Sequence, residues 1–168
     1  MTEEVNLNPA KRDELLQHPR FKPKLLVLNI ITVAFYGVVA IYFGLVLSGI
    51  IGANTEVSGE STWMIPAVLS EAMLPLMFFV GSILLKAVKE AGNFEESFQR
   101  GVVAVIVTLG LGEAATILGL ISPFLGAQTS QACGIMVWGL VVMVVGCVWI
   151  RPRVVNLVLI RLEEEETP

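Results

Sequence analysis

The sequence predicts an all-α integral membrane protein, a four-transmembrane-helix bundle with both termini cytoplasmic. Three observations carry this. The 168 residues are 55% hydrophobic and only 15% charged, with mean hydropathy +0.76. A soluble domain of this length holds far more charge. Four apolar runs, at 25–51, 63–85, 101–126 and 132–150, approach or exceed the roughly 20 residues that cross a bilayer as a helix. All eleven Lys and Arg lie in residues 1–24, 86–100 or 151–168, and none in the connections 52–62 or 127–131. With four spans those basic segments share one side, which is the positive-inside pattern. Three or five spans would put basic segments on both sides.

The elements follow in order. Residues 1–24 form a polar cytoplasmic arm ending in Lys11, Arg12, Arg20, Lys22 and Lys24. Asn8-Pro9 starts a short helix, Asn as the cap and Pro at the first helical position. That helix is expected to run to about Gln17, with Leu15 and Leu16 as its apolar side. The first apolar run is too long for a signal peptide and no small-residue cleavage site closes it, so it is expected to be retained. The span 25–51 carries Asn29, Thr32, Tyr36, Ala40, Gly44 and Ser48 every three to four positions, a stripe expected to face the bundle. The second span, 63–85, opens on Trp63, a residue that anchors at membrane interfaces. Pro75 removes the helical hydrogen bond to the Glu71 carbonyl. Such a freed carbonyl persists in a membrane only where protein or water satisfies it.

The segment 86–100, KAVKEAGNFEESFQR, reads as a charged cytoplasmic loop. The third span, 101–126, has small residues at helical spacing: Gly101, Ala104, Thr108, Gly112, Ala115, Gly119, Ser122 and Gly126. The fourth, 132–150, has Trp138 and Trp149 as interfacial candidates. Arg151-Pro152-Arg153 ends or kinks it. The segment 151–168 reads as a cytoplasmic tail whose apolar start either continues the helix or lies at the interface, and Glu163–Glu166 as its solvated end. Gly112, Ala115, Gly119, Gly37, Gly44, Gly139 and Gly146 are expected to be helix-packing positions, because small residues let membrane helices approach closely. Cys133 and Cys147 on one helix stand about 21 Å apart along its axis. They cannot pair with each other, and read as small packing residues.

Two acids lie inside the predicted spans. Glu113 is near the middle of the third and Glu71 in the outer half of the second. A charge at such a depth costs about 2.5–3.5 kcal/mol on insertion scales. No Lys, Arg or His occurs in any span. Each carboxyl therefore stays protonated, because apolar surroundings disfavour the charged form, or binds a cation from outside. If the two converge they share a proton or cation. The bland alternative is a protonated Glu hydrogen-bonded across helices to Thr116, Thr108, Asn29, Tyr36 or the freed carbonyl of Glu71. The site candidates for ions or protons are thus Glu113, Glu71, Thr116, Tyr36 and Asn29.

The run LGEAATILGLI, residues 111–121, resembles the acid-bearing helix of rotary-ATPase proteolipids, the c-subunit family. Those helices carry a midmembrane carboxylate, then Ala and an Ile-x-Gly-Leu type of run, after a polar cytoplasmic loop. The resemblance implies that Glu113 is an ion-carrying carboxyl. It covers eleven residues. The preceding span, with Phe78, Phe79, Pro66 and Pro75, departs from the small-residue helix of that family.

Other chemistry lacks its raw material. There is one histidine, His18, and no Gly-rich phosphate loop, His/Cys cluster or Ser/His/Asp set. No enzyme activity, cofactor, metal or nucleic acid is expected. The expected surroundings are the lipid bilayer and either further copies of the chain or a membrane-complex partner, in the cell (plasma or inner) membrane. The expected function is proton or cation handling through the intramembrane carboxyls. The alternative is a structural or accessory subunit of a membrane complex, with Glu113 and Glu71 as interhelical polar contacts.

Overall fold

In a computed structural model of the chain, residues 8–51 and 61–167 are described. The connection containing Glu56 and Glu60 lies outside the described residues, as does the start of the arm. Among the described residues there are five α-helices and no strand: α1 Pro9–Leu16, α2 Lys22–Leu47, α3 Met64–Lys89, α4 Phe94–Ile121 and α5 Thr129–Glu166. The last four are long and apolar enough to cross a membrane. The chain is an all-α four-helix membrane protein.

Local chemistry explains the helix ends. Asn8 Oδ1 accepts from the Ala10 N–H at 3.2 Å, with Pro9 in the first turn of α1. Asn93 does the same for α4, accepting from the Glu96 N–H at 2.9 Å. Glu95 and Glu96 then sit in the first turn, where the helix dipole favours acids. Gln128 and Gln131 cap α5 reciprocally. Gly126 turns the chain between α4 and α5 at φ 89°, a region open to glycine.

One segment differs from the sequence expectation, and a second settles between the two courses expected of it. The segment 86–100 is mostly helix, because α3 runs on to Lys89 and α4 begins at Phe94. In the segment 151–168 the helical one of the two expected courses is taken, because α5 continues through Pro152 to Glu166. The 38 residues of α5 are about 57 Å long at 1.5 Å per residue, far more than the roughly 30 Å of hydrocarbon. Hydropathy marks where lipid ends, and a helix can carry charges past that point. The extension holds because Val154, Val155, Val158, Leu159 and Leu162 recur on one face and are buried in one cluster with Leu15, Phe21 and Phe94.

The same cluster runs into the spans through Leu28, Val39, Leu109 and Met143, and its outer end forms a cap holding α1, the α3–α4 turn and the end of α5. Charges rim it. Lys11 pairs with Glu163 at 2.5 Å, His18 with Glu166 at 2.8 Å and Arg20 with Glu165 at 3.2 Å. Glu165 also accepts from the Phe94 N–H at 2.7 Å, and Lys24 pairs with Glu95. The Glu163–Glu166 run is therefore helical and paired. Glu163 beside Lys11 raises that ammonium above its ordinary 10.5. The sign follows: this contribution is complete below pH 10.5 and is lost as pH rises through the elevated value.

The α4–α5 pair is the axis of the bundle. The two helices run antiparallel in one register, with Gly101 against Val154, Gly112 against Met143, Thr116 against Gly139 and Gly119 against Met136. The backbones themselves touch. A Cβ on Gly139 would stand 2.5 Å from the Thr116 nitrogen, and one on Gly112 would stand 2.8 Å from the Met143 nitrogen. Ala115 is fully buried in the same interface. Gly146 meets Thr108 and Met77. Both α2 and α3 pack on both members of the pair but hardly on each other. A helix touching both members of a pair lies in one of its two grooves, so α2 and α3 occupy opposite grooves.

Gly37 and Gly44 do not share this role. A Cβ on either meets nothing within 4 Å. Their face of α2 points away from the bundle, so the packing expected of them is not made within the chain.

Candidate functional site

Glu113 lies on α4, eight residues before Ile121, or about 12 Å from the end of that helix at 1.5 Å per residue. Its neighbours Gly112 and Thr116 are buried in the α4–α5 interface. One residue is about 100° of helix rotation, so Glu113 is turned to the side. It is half-buried there, and Tyr42 of α2 donates its hydroxyl proton to Glu113 Oε1 at 3.3 Å. An apolar cluster of Val46, Ala132 and Met136 packs beside Tyr42.

Tyr42 was not among the sequence candidates, and three that were stand elsewhere. The Thr116 hydroxyl donates to its own helix, to the Gly112 carbonyl at 3.2 Å, facing Gly139. Tyr36 sits six residues back along α2, about 9 Å, beside Cys147. Asn29 is exposed near the capped end, where its Oδ1 accepts from Arg151. The signal for Tyr42 is depth. Both α2 and α4 run away from the capped end. Tyr42 is twenty residues past Lys22 and Glu113 nineteen past Phe94, so the two come level.

Glu71 belongs to a different place. It is exposed and lines an open groove between α3 and α5 with Trp63, Ala67, Ser70, Gln131, Gly134, Ile135 and Trp138. It stands seven residues past Met64, about 10 Å from that end of α3. Its depth is similar to that of Glu113, but α4 and α5 stand between them. Glu71 is on the α3 side of the pair and Glu113 is bonded from the α2 side. The question of convergence, open in the sequence, is answered by this placement: the two carboxyls lie on opposite sides of the α4–α5 pair, whose glycine contacts leave no room for a shared site between those helices.

Trp138, one of the interfacial candidates, is turned toward α3. It is half-buried in the groove, and its indole N–H donates to the Ser70 carbonyl at 3.0 Å. That carbonyl is one residue before the one Pro75 leaves without its helical donor. Trp149 packs edge-on to Phe78, centroids 4.9 Å apart, and lies under Arg153. Among the described residues no three His, Cys, Asp or Glu form a metal-binding group. Both cysteines lie on α5 as free thiols.

The fold and these two sites define the class: a helical multi-span membrane protein with one acid bonded between helices and one opening outward. Comparison with family models, with curated proteins and with solved structures gives no match.

Proposed function

We propose that this is a multi-pass protein of the cell (plasma or inner) membrane that takes up and releases protons or small cations at Glu113. The reading rests on the Tyr42–Glu113 hydrogen bond at 3.3 Å, made within the spans and away from every Lys, Arg and His of the chain. A phenol is donor and acceptor at once. Tyr42 can donate to an ionised Glu113 and, with its proton turned, accept from a neutral one. One contact therefore serves both protonation states, which is what a carboxyl that gains and loses a proton in an apolar setting needs. The resemblance of residues 111–121 to proteolipid helices supports the same residue. The basic segments on one side support cytoplasmic termini.

The test is ion flux in liposomes. Wild type is expected to conduct protons or a small cation down an imposed gradient. Glu113→Gln abolishes the flux, Tyr42→Phe lowers it several-fold, and Glu71→Gln leaves it unchanged. A folded wild type that conducts nothing would sink the reading in favour of an accessory subunit. That second reading has its own observation: the open face at Gly37 and Gly44 of α2 admits a helix of another chain.

A further inference from the structure

The groove between α3 and α5 makes no part of the Glu113 reading. Its walls have a specific chemistry. Trp63 and Gln131 stand at the starts of their helices, at the mouth. Glu71 and Trp138 lie further in. Ala67 and Gly134 are small and leave room between the helices, for a volume of about 480 Å³, within the usual range of small-molecule sites. Among the described residues the Glu71 carboxyl has no hydrogen bond or ion pair. It is an acid at membrane depth on the α3 wall of an open groove, with Trp63 on the same wall and Trp138 on the facing α5 wall. The Trp138 N–H is used by its bond to the Ser70 carbonyl, and the half-buried ring lines the groove.

We propose that this groove binds an amphiphilic organic cation, an alkylammonium group carrying an apolar chain. The ammonium meets the Glu71 carboxylate with Trp138 across the groove, Trp63 stands toward the mouth, and the chain lies along Ala67 and Ile135 toward lipid. Indole faces attract cations through the ring quadrupole, and aromatic cages recognise quaternary ammonium groups this way. A small hydrated metal cation fits less well, because a single carboxylate and two indoles give it too few oxygen ligands. The open side of the groove lets such a molecule enter sideways from the bilayer. Two sources share this chemistry: an amine-bearing lipid headgroup, and a free cationic amphiphile.

The experiment uses the full chain in nanodiscs of phosphatidylglycerol, which offers no amine. Labelled dodecyltrimethylammonium, below its micelle concentration, is titrated into loaded and empty discs. Saturable binding to wild type is expected, weakened at least tenfold by Glu71→Gln and several-fold by Trp63→Ala. Thermal midpoints of the variants verify that they are folded. A second arm adds phosphatidylethanolamine or phosphatidylcholine. Loss of probe binding there supports the site with lipid as its occupant. Unchanged binding supports the site with a free amphiphile. Binding no greater than in empty discs, or equal binding by folded Glu71→Gln, overturns the proposal. Glu113→Gln is expected to bind as wild type does, which separates this result from the flux assay.

Discussion

Gly139→Ala will destabilise the bundle by about 1–3 kcal/mol, the usual cost of overpacking, while Gly44→Ala will leave it unchanged or slightly more stable. Both are the same chemical change in a membrane-spanning helix. They differ only in what the new methyl meets. At Gly139 it would stand 2.5 Å from the nitrogen and 2.9 Å from the Cα of Thr116, and neither can swing aside as a flexible side chain would. The helices must separate there, and separation loosens the Gly112 and Gly119 contacts of the same register. Membrane helices gain little from leaving lipid for each other, so close van der Waals packing is most of what holds α4 to α5. At Gly44 nothing lies within 4 Å. There alanine only gains the roughly 0.5–1 kcal/mol by which it outranks glycine inside a helix. Reversible unfolding of the two variants in mixed micelles reads the difference directly. Equal stability of Gly139→Ala and wild type would show that the α4–α5 register is wrong.

This contrast also marks how far the sequence could be read. Spacing shows that a stripe is small, so Gly37, Gly44, Gly112, Gly119, Gly139 and Gly146 looked alike. Which stripe is engaged depends on the facing helix, and that is tertiary information. The spans were legible because lipid imposes length and composition on them. Their true ends were not, because water tolerates charges on a helix that continues past the bilayer. That one gap had two consequences. It turned the segment 86–100, mostly helix, into a loop. It also started the third span at 101 instead of Phe94. With that start Glu113 falls at midspan, level with Tyr36. Counted from Phe94 it is level with Tyr42, which the structure pairs with it. The two acids were visible as residues out of place in lipid. Their separation was not, because it depends on α2 and α3 taking opposite grooves of the central pair.

Phe94→Ala is expected to cost about 3–5 kcal/mol, the range for truncating a buried aromatic, and to release α1 from the end of α5. Phe94 is wholly buried, with Phe21, Leu15, Leu159 and Leu162 in the same cluster. Its N–H is held by Glu165, and Arg20 and Lys24 stand 5.0 and 5.2 Å from its ring centre. Removing the ring therefore opens a cavity and strips Arg20 of its aromatic neighbour, while Lys24 keeps the Phe98 ring at 4.6 Å. The ion pairs around the rim are a smaller force. Lys11 and Glu163, at 47% and 29% side-chain exposure, belong with surface pairs, which add little and weaken with salt. Hydrogen exchange over α1 and residues 154–166 separates the two contributions. Phe94→Ala should raise exchange in both segments together, whereas 1 M salt, which shortens screening to about 3 Å, should barely change either. The opposite pattern, with salt freeing α1 and the alanine variant staying protected, would mean that charge rather than apolar burial holds the cap. The physical reason to expect the first pattern is already in the chain. Residues 154–162 keep an apolar face beyond the point where lipid could account for it, and Leu15, Phe21 and Phe94 are what that face is built to cover.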